Sequence, residues 1–167
     1  MFRKTSPPPE PGTFPVERLV IASEGRPIAW PVLQQAFELA RPAGASVLIV
    51  VIVRVWGTAL GFPNPGLNPS KQEWDEHLLI ARRAKEAVEK AGFEAAASIR
   101  GTRRATKRIL REANAFGADA IVMGCDSDRG LMGDFSWSHE PYRVRRRARI
   151  PVYLVPVDSG AAAGETR

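Results

Sequence analysis

The residues that could do chemistry gather between Ala118 and Val157. A short apolar run, Ala120 to Met123, ends at Gly124. A stretch rich in small, polar and acidic residues follows, from Cys125 to Trp137, and Ser138 opens a basic helical segment. A strand, a small-residue loop and a helix N-terminus together form a phosphate-holding arrangement. The free N–H groups of the first helical turn point at the loop, and the helix dipole favours an anion there. Gly124 lets the backbone approach such a group closely. Ser138 suits the same place, and suits equally the plain task of capping the helix.

Other reactive residues point to less. Cys125 adjoins Gly124 at a strand end, where a thiolate near a helix N-terminus gains reactivity, yet a lone cysteine usually serves as a small buried hydrophobe. His77 falls within a helical pattern and His139 beside Ser138. Neither has the spacing of a metal site, and no Ser/His/Asp order or paired acid and base carboxylates stand out. No residue is assigned a catalytic or metal-binding role. Two basic clusters remain, Arg103 to Arg111 and Arg143 to Arg149. They lack interleaved aromatics and any nucleic-acid motif, so they read as a solvated face rather than a groove binder.

These residues must be positioned by one domain. A chain of 167 residues, 44% hydrophobic and 25% charged, can bury a single sound core. One cysteine excludes an internal disulfide and fits a reducing compartment. The longest apolar run, Val47 to Val53, is too short to span a bilayer, and residues 1–15 lack the apolar core of a secretory signal. The expectation is a cytoplasmic protein with no membrane contact. Residues 1–15 and 158–167 read as flexible tails around a domain over 16–157. The net charge of +6 invites a nucleic-acid reading without requiring it.

The elements alternate. Leu19 to Ala22 and Val47 to Val53 are apolar on both faces, as strands buried in a parallel sheet are. Helical periodicity follows the first through Leu33, Phe37 and Ala40. After a Gly/Pro/Asn loop over 57–69, Ser70 and Glu73 form a capping box. Trp74, Leu78, Ala81, Ala84 and Val88 make the predicted inward face of that helix. Residues 93–99 are a weaker strand. Gly101 and Thr102 turn into a helix with Ala105, Ile109, Leu110, Ala113 and Phe116 inward, ended by Gly117. The unit described first completes a β-α-β-α-β-α-β-α-β order, which predicts a five-stranded parallel sheet with helices on both faces and the last strand near an edge.

This order and its motifs resemble the universal stress protein family over nearly all of Glu17 to Val157. Gly117 to Gly124 (GADAIVMG) matches the family's "GADLIVMG" closely, and Pro151 to Val155 matches its last strand. Ala22-Ser23-Glu24-Gly25-Arg26 stands where the family has a valine-rich run and Asp-Gly-Ser, Val51 to Val53 closes the second strand, and Gly101 matches the start of the third helix. The resemblance implies a Rossmann-like three-layer α/β sandwich that binds ATP or another adenine nucleotide, with Mg²⁺ if bound. It places Glu24 on the adenine or ribose side, Ile52 and Met123 beside the ring, and Gly124, Ser127 and Ser138 on the phosphates. The family's binding motif is Gly, two residues, Gly, nine residues, Gly-Ser/Thr. Here the positions read Gly124, Ser127, Trp137 and Ser138, so two glycines are replaced. Asp126, Asp128 and Asp134 would repel a triphosphate unless Mg²⁺ or Arg129 offsets them. The resemblance also implies a homodimer through the last strand. Two further readings stand beside the nucleotide one: a dimeric protein-interaction module without nucleotide, and a nonspecific binder of nucleic acid through the arginines.

Overall fold

A computed structural model of the chain describes residues 14–55, 58–59, 62–63, 68–126 and 139–157. The expected tails lie outside these, apart from Phe14 and Pro15. The elements in order are β1 (Arg18–Ser23), α1 (Trp30–Ala40), β2 (Ser46–Arg54), β3 (Thr58–Ala59), β4 (Phe62–Pro63), α2 (Lys71–Lys90), β5 (Ala95–Thr102), α3 (Ala105–Phe116), β6 (Ala120–Asp126), α4 (Glu140–Arg147) and β7 (Val152–Val157). Five strands form a parallel sheet in the order β5-β2-β1-β6-β7, with β5 and β7 at its edges. Within the segment expected as plain loop, β3 and β4 form a small antiparallel pair.

Period-two alternation divides the core into two layers. Leu19, Ile21, Val47, Ile49, Val51 and Val122 face α1 and α2; Val20, Ala22, Val50, Ile52, Ile121 and Met123 face α3 and α4. This is why the strands read as unbroken apolar runs: each is covered on both faces. The helices begin and end as their local chemistry dictates. Ser70 and Glu73 cap α2 reciprocally, Pro31 sits in the first turn of α1, and Gly117 closes α3 at φ +70°. The Asp119 carboxylate accepts hydrogen bonds from the backbone N–H groups of Glu17 and Arg18, both at 2.9 Å. The Gly-Ala-Asp stretch thus fastens the amino end of β1 beside β6.

Three local expectations need correction. Trp74 and Leu78 are 38% and 53% exposed, and the inward face of α2 is Ala81, Ala84 and Val88. The Trp74 indole lies over the edge strand instead, where a Cβ on Gly101 would come within 3.1 Å of it. Gly101 itself belongs to β5 rather than to a helix start. Pairing of Val53 with Gly101 and Arg54 with Thr102 extends the strand past its expected end. Among the described residues no helix is long and apolar enough to cross a membrane.

Candidate functional site

β1 has β2 on one side and β6 on the other, so the chain's winding reverses between β1 and β6. Open α/β sheets take ligands at the carboxyl ends of such strands. Ala22 pairs with Met123, which sets Ser23-Glu24 beside Gly124 at that end. Gly124 faces the start of α1: a Cβ there would meet Val32 and Val157 at 3.4 and 3.5 Å. A second carboxylate follows at Asp126, two residues on and therefore on the same face.

Arg26 fills the space between them. Its Nε donates to Glu24 Oε1 at 2.6 Å and its Nη1 to Asp126 Oδ1 at 2.5 Å. Its Nη2 is buried 2.6 Å from the same Glu24 oxygen without making a hydrogen bond. The Glu24 side chain is 5% exposed, that of Asp126 15% and that of Arg26 28%. Burial works against the guanidinium charge, but the attraction and hydrogen bonds of Glu24, then Asp126, outweigh it and hold its pKa above the ordinary arginine value.

The backbone bends Arg26 back into place. Gly25 has φ +117°, which other residues rarely adopt, and Ser23 Oγ fixes the turn. That hydroxyl accepts from the Gly25 N–H at 3.1 Å and donates to the Arg26 carbonyl at 2.5 Å. Beside this network a cavity of ≈ 20 Å³ opens, lined by residues that include Ala22, Gly124, Val32 and Val157. That is room for about one water molecule.

The expected site residues separate in space. Glu24 and Gly124 lie together at the crevice. Ile52 and Met123 are fully buried in the layer beneath α3 and α4. Ser127 and Ser138 lie outside the described residues. The N-cap of α4 is His139, which makes no side-chain capping bond. The first residue of that helix, Glu140, turns its carboxylate to α3, where Oε2 accepts from the Thr106 N–H at 3.2 Å and from the Thr106 hydroxyl.

Sequence reasoning passed over two side chains here. Arg26 pairs with Asp126 as well as with Glu24; its signal is a cation two residues after Glu24 across a glycine. His77, which has no metal-site spacing in the sequence, packs against this turn: its Nε2 would lie 3.0 Å from a Cβ on Gly25. Its Nδ1 is 2.6 Å from the Glu73 carbonyl, so in the neutral ring that nitrogen carries the proton. Among the described residues no group of three or more His, Cys, Asp or Glu could hold a metal ion.

A parallel sheet with helices on both faces and a crevice at the strand-order reversal defines a Rossmann-like α/β protein. The profile of the universal stress protein family matches residues 15–156, and the chain belongs to that family. Solved structures agree on the fold. A universal stress family protein from Burkholderia pseudomallei superposes with TM-score 0.62 at 23% identity, over 84% of this chain and 96% of that one. A universal stress protein in complex with cAMP gives 0.62 at 17%, over 86% and 98%. One from Archaeoglobus fulgidus in complex with dAMP gives 0.60 at 20%, over 84% and 98%. No match was found among curated proteins.

Proposed function

We propose that this chain is a stress-type regulatory protein, cytoplasmic and dimeric, that takes an adenine nucleotide weakly at the switch-point crevice. The observation that carries this reading is the Glu24–Arg26–Asp126 network, a polar, ion-paired cluster at the strand ends where such sheets bind ligands. The neighbours in complex with cAMP and dAMP support the ligand class. Weakness follows from the same network. The cavity of ≈ 20 Å³ beside Arg26 is too small for an adenine, so in this reading a nucleotide that occupies this point displaces Arg26 from its two carboxylates. That displacement is subtracted from the binding energy, and two freed carboxylates then face the phosphates. In this reading Glu24 contacts the base or ribose and Gly124 the phosphates, with Ser127 and Ser138. Mg²⁺ would accompany ATP and reduce the repulsion from Asp126.

A second reading is an interaction module that works without nucleotide, favoured by the pairing of Arg26 with both carboxylates at the crevice. Its dimer would form through the edge strand β7, in the domain over 16–157. Denaturing the purified protein and analysing the supernatant for nucleotide, followed by calorimetry with ATP, cAMP and AMP, separates the two. The first reading expects protein purified free of nucleotide and titrations in the high micromolar to millimolar range, about −4 to −6 kcal/mol. Heat signals indistinguishable from buffer at millimolar ligand would leave the second.

A further inference from the structure

The sequence holds two runs of cations, and the fold lays them on one face. α3 and α4 pack together over a shared cluster, with Ile109 and Ala113 of one beside Val144 of the other. From Arg103 to Phe116 and from Glu140 to Arg149 there are ten cations against two carboxylates, a net of +8. The whole chain carries +6, so everything else is net negative. Both carboxylates are committed: Glu112 pairs with Arg100 and Arg108, and Glu140 holds Thr106 and Arg143. Before and on α3, Arg103, Arg104, Lys107 and Arg111 are exposed and make no ion pair with a described residue. The same is true of Arg145, Arg146, Arg147 and Arg149 on and after α4. Crowded like charges on one surface attract a polyanion and are relieved by it.

A cleft of ≈ 400 Å³ lies where the two helices end. Leu110, Ala113, Ala118 and Ile150 line it together with Arg147 and Arg149. Its volume falls in the range of small-ligand sites. Among the described residues the three large hydrophobics that stand exposed, Trp30, Trp74 and Leu78, lie on α1 and α2, on the opposite side of the sheet. Among the described residues the basic face exposes no large hydrophobic side chain to insert into a bilayer, which favours a polyanion over a lipid surface.

We propose that the α3–α4 face binds single-stranded nucleic acid without sequence preference, its phosphates on the exposed cations and a base in the cleft. Guanidinium forks match phosphate oxygens, and a single strand can turn a base outward where a duplex keeps it stacked. This departs from the solvated-face reading because the two clusters, separate in sequence, converge in space beside a cleft of base-accommodating size.

The test is fluorescence anisotropy with a labelled oligothymidylate of about 20 nucleotides, longer than one binding site. For about four phosphates neutralised, log K should fall against log salt with a slope near −3. An abasic strand of equal length should bind several-fold more weakly, and poly-glutamate and phosphatidylserine vesicles more weakly still. Arg145→Glu with Arg146→Glu should weaken binding by about tenfold or more at low salt. Arg147→Ala with Arg149→Ala provides a milder pair should the first misfold by circular dichroism. Arg82→Glu with Arg83→Glu on α2 changes total charge equally and should leave binding within twofold. Equal loss in the α2 variant, or an abasic strand, poly-glutamate or vesicles binding as tightly as oligothymidylate, would overturn the proposal.

Discussion

Replacing Arg26 by methionine tests whether the network at the crevice is a latch. The substitution keeps a long side chain and removes the charge, leaving Glu24 and Asp126 facing each other without the guanidinium. Removing one partner of a fully buried ion pair costs about 3–5 kcal/mol. Here the Arg26 side chain is 28% exposed and that of Asp126 15%, so water screens part of the loss. We expect about 2 kcal/mol at neutral pH, or roughly 4–8 °C in Tm for a domain of this size. Asp126→Asn in the same background removes the repulsion and should restore about 1 kcal/mol, a coupling that urea denaturation of the parent, both singles and the double measures directly. Nucleotide affinity should behave differently. Arg26→Met alone removes the plug but leaves two carboxylates toward the phosphates, so affinity should change little. The double variant removes the plug and one negative charge, and should bind ATP about tenfold more tightly, worth roughly 1.4 kcal/mol. A single variant as stable as the parent within about 0.5 kcal/mol, with no coupling to Asp126, would refute the latch.

Three further outcomes follow from the same geometry. Gly25→Ala should destabilise by roughly 2 kcal/mol or more, because φ is +117° and a Cβ would press on His77 and the Ile52 carbonyl, at 3.0 and 3.2 Å; chemical denaturation reads this. Burial raises the Glu112 pKa, but hydrogen bonds from Arg100 and Ser98 and the charges of Arg100 and Arg108 bring it below the ordinary value. Its stabilisation is therefore complete above the ordinary carboxylate range and lost as pH falls through the depressed pKa, so the deficit of Glu112→Gln against the parent should shrink on acidification in parallel melts. A β7-paired dimer should be seen by light scattering of the parent, and a parent already monomeric at about tens of micromolar would remove the basis for that assembly; Val155→Lys should shift it to monomer, with circular dichroism as the control because Val155 also packs partly buried on the core.

The fold was legible because its signals are local or periodic. Val47 to Val53 is apolar at every position since α1 with α2 covers one face and α3 the other. Ser70 and Glu73 show their capping box at a spacing of three residues. Trp74 and Leu78 misled because their helical spacing matches Ala81, Ala84 and Val88, and spacing alone does not say which turns of α2 meet the sheet. Near Trp74, β5 runs on past Ile99, and the indole settles over Gly101. The candidate site was legible only in outline. Glu24 and Gly124 could be placed by motif, but the state of the crevice depends on Arg26 meeting Asp126, a contact between residues 100 apart. Sequence spacing carries no such information, and charge counting alone pointed to repulsion among the loop aspartates. A cation two residues from a strand-end carboxylate, across a glycine that can take positive φ, is a local pattern that can fold back into its own crevice. The same logic separates the two halves of the molecule's charge. Arg26 is neutralised by carboxylates at the sheet ends, while the arginines of α3 and α4 outnumber theirs. Two carboxylates meet one guanidinium at the strand-end crevice, whereas on the α3–α4 face cations outnumber carboxylates, so the two proposals place opposite electrostatic demands on an anionic ligand.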